Sequence, residues 1–284
     1  MYTNRVNYPL PADAKLQASK GYFLRFDEIS RLLHFVAERR EQSRHSQKAV
    51  MMATGLSKHH VESLVSLASG MELIRPIVYR ATELGLIIHD HDLFFDDVGT
   101  LWLCHYNISS NQRYVVWNRM TNVILPHVRG PIGSEVASEF ADLRAKFSEK
   151  SVKEHVPKEL QALFNAYCEQ QFSRIHYLKE INGRHQLRNS SARVPPLIFM
   201  CALITYRDRF APGASALEIG TVSTGDNSPG RLLNLREAKV RELLDELHRT
   251  DLLTIESKAN LDQVRFGPEL TVAGVLMRYY RERQ

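Results

Sequence analysis

The 284-residue sequence predicts a mainly α protein with small β wings, in which winged-helix or helix-turn-helix modules at both ends flank a helical middle. Three observations carry this reading. First, residues 56–74 (LSKHHVESLVSLASGMELI) and 235–253 (LREAKVRELLDELHRTDLL) align without a gap. Val61, Leu64, Val65 and Ala68 match Val240, Leu243, Leu244 and Leu247. Each set has the i, i+3, i+4, i+7 spacing of one buried helix face. Second, each copy passes through an acidic residue, Glu72 or Asp251, into a short apolar segment. After the second copy, LLTIESKANLDQVRFGP reads as two strands around a polar turn at 258–262, the expected wing. Third, the segments between the copies carry helical stripes. The chain then divides into residues 1–130, an N-terminal winged-helix-like domain, residues 131–210, a helical middle, and residues 211–284, a C-terminal winged-helix-like domain.

The elements follow in order. Residues 47–54 (QKAVMMAT) form a short helix that Gly55 breaks, and Ser57 caps the next helix. Residues 82–88 lead as helix or strand to His89. Residues 96–100 (DDVGT) start a new helix with Asp97 or Thr100 as cap, since acidic residues suit the positive end of a helix dipole. Residues 112–125 carry a stripe of Tyr114, Val115, Trp117 and Met120, and residues 133–147 one of Val136, Phe140, Leu143 and Phe147. A further helix is expected over 159–172. Residues 195–210 (PPLIFMCALITYRDRF) form a core helix opened by a proline. Between these last two, residues 181–194 (INGRHQLRNSSARV) are polar and weakly periodic, so a loop or linker is expected. Residues 212–229 read as a second loop, residues 228–235 as a weak helix start, and residues 269–280 as a closing helix.

Composition narrows the function classes. Charged residues are 24% of the chain and apolar residues 44%, which fits globular cores. No apolar run reaches about 18 residues, so no membrane span is expected. The N-terminus (MYTNRVNYPLPADAK) lacks the apolar segment of a signal peptide, and Cys104, Cys168 and Cys201 form no CxxC pair. A reducing cytoplasm is the expected compartment. No G-x-x-x-x-G-K-[ST] pattern occurs, so P-loop nucleotide chemistry and a nucleotide cofactor are unsupported. The net charge is +5, but it is uneven: residues 1–60 carry ten Lys/Arg against five Asp/Glu, and residues 171–210 seven against two. Local basic excess suits a polyanion such as DNA, and it equally suits ordinary solvated charges. A recognition helix meets DNA with its first exposed side chains. Those are Lys58, His59 and His60 in the first copy and Arg236, Lys239 and Arg241 in the second. Arg184, Arg188 and Arg193 of the basic loop are candidates for phosphate contact. The basic flank favours DNA contact by the first copy, whereas Glu237, Glu242, Asp245 and Glu246 suit the second copy to protein assembly instead, and the sequence leaves room for a homodimer.

Residues 89–97 (HDHDLFFDD) pack two His and four Asp into nine positions. Hydrolysing a phosphodiester needs charge neutralisation and an activated water, and carboxylates around a divalent cation supply both. His89, His91, Asp92 and Asp96 are therefore the catalytic candidates, and Asp92, Asp96 and Asp97 the ligands for Mg²⁺ or Mn²⁺. Helix capping accounts for Asp96 and Asp97 without a metal, and on an extended chain His89 and His91 would face one way and Asp90 and Asp92 the other.

The stretch from Ala81-Thr-Glu-Leu-Gly through Asp96-Asp97 to Gly99-Thr-Leu-Trp-Leu-Cys-His-Tyr resembles the identifying block of the SspB-type family of bacterial DNA phosphorothioation systems. Phe23-Leu-Arg-Phe resembles that family's opening before its first helix. Tyr106 stands where a Trp is common, and the second half of the chain is similar more loosely. The resemblance implies a DNA-binding nickase that opens one strand for sulfur insertion in a modification and anti-phage defence system. It implies partners too: a cysteine desulfurase, an ATPase and a PAPS-reductase-like enzyme. A non-catalytic winged-helix DNA-binding regulator or adaptor is the other reading of the same features.

Overall fold

The computed structural model describes residues 10–127, 130, 133–188, 194–258, 261–267 and 270–283. It is mainly helical, with three small antiparallel sheets among the described residues. The N-terminal region runs α1 (Phe26–Ala37), α2 (Gln47–Thr54), α3 (Lys58–Gly70) and a minimal hairpin of β1 (Ile74–Arg75) and β2 (Arg80–Ala81). Local chemistry sets these bounds. Ser46 caps α2 by accepting the Ala49 N–H, Gly55 ends it in the left-handed region (φ 73°), and Ser57 caps α3. Then come α4 (Glu83–Asp92), capped by Thr82, and α5 (Val98–Ser110), capped by Asp97. Every residue of α5 from Gly99 to Ser110 is buried, so this helix is the axis of the molecule.

The middle departs from expectation in several places. The 112–125 stripe is buried as predicted, but α6 (Val115–Arg119) opens into a π-helical turn (Met120–Ile124) before α7 (Leu125–His127). Residues 133–145 are split into α8 (Gly133–Ala137) and a 3-10 stretch (Ser138–Ala145). The next helix, α9 (Glu149–Cys168), starts ten residues before the expected Glu159 and runs through Pro157. Pro157 and Lys153 are both exposed, so the carbonyl that loses its partner faces water and the helix continues. A 3-10 turn (Gln171–Ile175) follows α9. The expected loop at 181–194 is in part a hairpin, β3 (Leu178–Ile181) with β4 (Arg184–Leu187). Asn182 (φ 53°) and Gly183 (φ 74°) make its two-residue turn, the positive-φ pair that matches strand twist. Residues 189–193, including Arg193, lie outside the described residues.

The core helix α10 (Pro196–Phe210) stands as predicted. Beyond it lie β5 (Ala216–Glu218), α11 (Ile219–Thr224), α12 (Pro229–Leu232), α13 (Glu237–Arg249), β6 (Leu253–Lys258), β7 (Leu261–Phe266) and α14 (Val272–Arg281). The three strands form one antiparallel sheet in the order β5-β7-β6. Strand β5 falls inside the expected 212–229 loop, where Leu217 is buried beside Val264 on β7. The two aligned helices behave alike: Val61, Leu64, Val65 and Ala68 are buried on α3, and Val240, Leu243, Leu244 and Leu247 on α13. Buried apolar residues from Leu16 to Tyr280 form one continuous cluster, so residues 1–130, 131–210 and 211–284 share a core.

One buried carboxylate ties the chain start to the middle. Glu159 on α9 accepts the Ser19 N–H (2.8 Å), the Ser19 hydroxyl (2.8 Å) and the Lys20 N–H (3.1 Å). Burial pushes its carboxyl up from the usual range, and these donors hold it down. Glu159→Ala strips three donors of their acceptor, and an expected loss of roughly 1–3 kcal/mol should show as a lower urea midpoint. An unchanged midpoint would mean that the tie is not part of the stable fold.

Candidate functional site

The first half of the acidic-histidine segment is helical, and residues 93–97 form the turn into α5. His89, Asp90, His91 and Asp92 occupy the last turn of α4, where successive side chains fan out by about 100°. The extended-chain pairing of His89 with His91 is therefore not what forms. His89 faces α1: its Nε2 lies 3.3 Å from His34 Nδ1, and its Nδ1 lies 2.8 Å from Asp90 Oδ1. His91 turns the other way and stacks on Tyr280 of α14, with ring centroids 5.0 Å apart.

On that second side the sequence candidates meet. His91, Asp92, Asp96, Asp97, Tyr280 and Arg283 line a cleft of about 340 Å³. Its floor is the α4–α5 turn and its far wall is α14. Asp92 closes the turn by accepting the N–H groups of Asp96 (2.8 Å) and Asp97 (3.2 Å). Burial pushes the Asp92 carboxyl up, and the Asp97 charge adds to the shift. Asp97 caps α5 through the N–H groups of Gly99 (2.7 Å) and Thr100 (3.2 Å), accepts the Tyr279 hydroxyl (2.6 Å), and pairs with Arg283 (3.1 Å). Asp96 is well exposed; Arg174 lies 3.4 Å from its carboxylate and donates to the Asp96 and Phe95 carbonyls. The Tyr280 and Thr100 hydroxyls share a 2.6 Å hydrogen bond. The cleft thus combines three carboxylates with a cation and a buried phenol. Asp92 and Asp97 both spend oxygens on backbone N–H groups, so a cation here would keep several of its waters, as Mg²⁺ does.

The basic candidates are scattered. Lys58 and His59 are exposed at the start of α3, with His59 beside Glu62 (3.4 Å). His60 is not free to read bases: it stacks on Tyr22 (4.2 Å) and lies 2.8 Å from Glu28. On α13, Arg236 is exposed, Lys239 pairs with Glu242 (2.6 Å), and Arg241 is latched to Asp262 on β7 (2.7 Å). Arg184 donates to the Gly130 carbonyl (3.1 Å) and is exposed, as is Arg188.

The residues that sequence reasoning missed come from afar. Tyr279, Tyr280 and Arg283 build the cleft wall from the opposite end of the chain. Two other missed residues, His34 on α1 and Glu38 at its C-cap, did have a local signal, the i, i+4 spacing of possible ligands. The Gly99-Thr-Leu-Trp block is the molecular core: Trp102, His105 and Tyr106 are fully buried. A Cβ on Gly99 would stand 2.2 Å from the Tyr279 oxygen, so the glycine is what lets α14 close over the cleft.

This mainly helical fold with small antiparallel sheets is similar to two solved structures. One is described as a magnesium ion-bound SspB crystal structure (TM-score 0.77, 15% identity), the other as an SspB crystal structure (TM-score 0.74, 14% identity). Each match covers 93% of this chain and 87% of the other. The chain belongs to the family described as "Protein of unknown function (DUF4007)", whose model matches residues 21–280. A comparison with curated proteins gives no match. No helix among the described residues is long and apolar enough to cross a membrane.

Proposed function

We propose that this protein binds DNA and nicks one strand with the help of a divalent cation, Mg²⁺ or Mn²⁺, within a DNA phosphorothioation and anti-phage defence system. The observation that carries the reading is the SspB-like fold over nearly the whole chain, with one of those structures described as magnesium-bound. The cleft fits the chemistry. Asp92, Asp96 and Asp97 would hold the hydrated cation, which neutralises charge on the scissile phosphate. Asp92, its carboxyl raised by burial, and His91 are the groups suited to take a proton from the attacking water. His89 turns away from the cleft and has no part in this step.

DNA would be held by the two helix–hairpin units, read as winged helices. Lys58 and His59 open α3, Arg236 sits at the N-cap of α13, and Arg184 and Arg188 add to the basic surface; Arg193 is a phosphate-contact candidate from the sequence alone. Lys239 and Arg241, already paired with carboxylates, contribute less. A cysteine desulfurase, an ATPase and a PAPS-reductase-like enzyme are the partners this role calls for.

A non-catalytic DNA-binding adaptor is the second reading, favoured by the capping duties of Asp92 and Asp97. Supercoiled plasmid with Mg²⁺ or Mn²⁺ separates the two: nicking predicts open-circular product, an adaptor only salt-sensitive binding. Lys58→Glu with His59→Glu should weaken binding at least tenfold and flatten its salt dependence by about one unit of slope per lost phosphate contact. Unchanged affinity would remove α3 from the DNA interface.

A further inference from the structure

On the side of α4 away from the cleft, His89 meets His34 in the last turn of α1 and Glu38 at its C-cap. His34 Nδ1 lies 3.3 Å from His89 Nε2, and Glu38 Oε1 lies 3.7 Å from that same nitrogen. Among the described residues this is the one group of three metal-ligating side chains whose donor atoms lie within 4.8 Å of one another. Two ligands about 2.0–2.1 Å from a tetrahedral zinc ion stand roughly 3.3–3.4 Å apart. The His34–His89 separation of 3.3 Å is that of ligands around one small cation, and Glu38, at 3.7 Å, needs to move inward to complete the set.

The surroundings favour coordination. His34 lies in the last turn of α1 and Glu38, four residues on, is its C-cap with helical backbone angles, so their donors reach the same point. His89 is mostly buried, its side chain 13% exposed, and Asp90 accepts from its Nδ1 at 2.8 Å. This carboxylate fixes the tautomer, keeps the proton on Nδ1, and leaves the Nε2 lone pair aimed at His34 and Glu38. A carboxylate behind a ligating imidazole is the usual outer support of a metal-bound histidine. His34 and Glu38 are exposed, so a cation can enter and a water can fill the fourth position.

We propose that His34, Glu38 and His89 form a site for a transition metal such as Zn²⁺, bridging α1 and α4. Two imidazoles and one carboxylate select borderline metals over Mg²⁺, which prefers an all-oxygen shell. The site is thus chemically distinct from the carboxylate cleft on the opposite side of the same helix, and it does not depend on the nicking reading. Its effect would be to pin the helix whose last turn carries Asp92.

The test is titration of the full-length, chelator-stripped protein with Zn²⁺ by calorimetry, and with Co²⁺ followed by visible absorption. One Zn²⁺ per chain is expected, Co²⁺ should give the intense visible bands of a four-coordinate site, and millimolar Mg²⁺ should not compete. His34→Ala and His89→Ala should each weaken binding at least 100-fold, and Asp90→Asn about tenfold to 100-fold. Because His34 is exposed, His34→Ala should keep the parent melting temperature without metal. Asp92→Asn, on the other face, should leave Zn²⁺ affinity unchanged. No stoichiometric binding, or binding that survives the His34→Ala/His89→Ala double substitution, would reduce the cluster to a plain histidine–histidine hydrogen bond and overturn the proposal.

Discussion

Asp92→Asn is expected to lower DNA nicking by about 100-fold or more while the protein stays folded. Burial pushes the Asp92 carboxyl up, so its charged form is held where water is scarce. Its two oxygens accept the N–H groups of Asp96 and Asp97. Asparagine keeps one acceptor oxygen, and losing the other bond costs about 1 kcal/mol. What asparagine removes entirely is the negative charge, and with it both attraction for a cation and proton-accepting power. Protonating Asp92 removes the same charge, so wild-type nicking should fall as pH drops through the range where that carboxyl titrates. Asp96→Asn should do less, about tenfold, because Asp96 is solvated and already sees Arg174. The measurement is the rate of open-circular plasmid formation beside the melting temperature of each variant. If Asp92→Asn nicks at the parental rate and melts normally, the cleft is not the catalytic centre.

The split between what the sequence disclosed and what it concealed follows the range of the forces. Caps act over three or four residues, so Ser57 and Asp97 were legible as helix starts, and the paired stripes on α3 and α13 were legible as buried faces. The His89–Asp92 run was ambiguous because four polar residues have no period; the helix continues through them because Thr82 starts it and α14 packs against it. The early start of α9 and the hairpin in the 181–194 segment were hard to read for opposite reasons. A proline signals a break, but this one lies on the water side of α9. A polar, basic stretch signals a loop, but Asn182-Gly183 is also the strongest short hairpin turn, and that signal was outweighed by composition. The cleft's far wall was beyond reach altogether: Tyr279 bonds to Asp97 across 182 residues. Gly99 belongs largely to the same class, because the tightest contact a Cβ would make there is with the distant Tyr279 hydroxyl.

His105 carries the second large expectation, an acid-induced loss of stability. It lies fully buried in α5, with Nε2 2.9 Å from the Leu232 carbonyl and Nδ1 against the Tyr167 hydroxyl. A carbonyl only accepts, so Nε2 carries the proton; Nδ1 then accepts from Tyr167, and the neutral ring is fully satisfied. Adding a proton would put a charge in a core of Trp102, Tyr167 and Tyr177, and burial accordingly pulls the His105 pKa down to about 4. The sign follows from linkage. Above about pH 6.5 the ring is neutral in both states and full stability is present. Between about 6.5 and about 4 only the unfolded chain takes up the proton, so stability falls by about 1.4 kcal/mol per pH unit, or about 3 kcal/mol in all. His45, also buried and also pulled down by desolvation, acts in the same direction, whereas Asp92 and Glu159, pushed up, act oppositely. His105→Gln isolates the contribution, because glutamine offers an N–H to Leu232 but does not titrate. Urea unfolding at pH 7.5, 6 and 5 should show parent and variant converging as pH falls. Parallel curves would mean that His105 is protonated in the folded core, and the neutral-ring assignment would then be wrong.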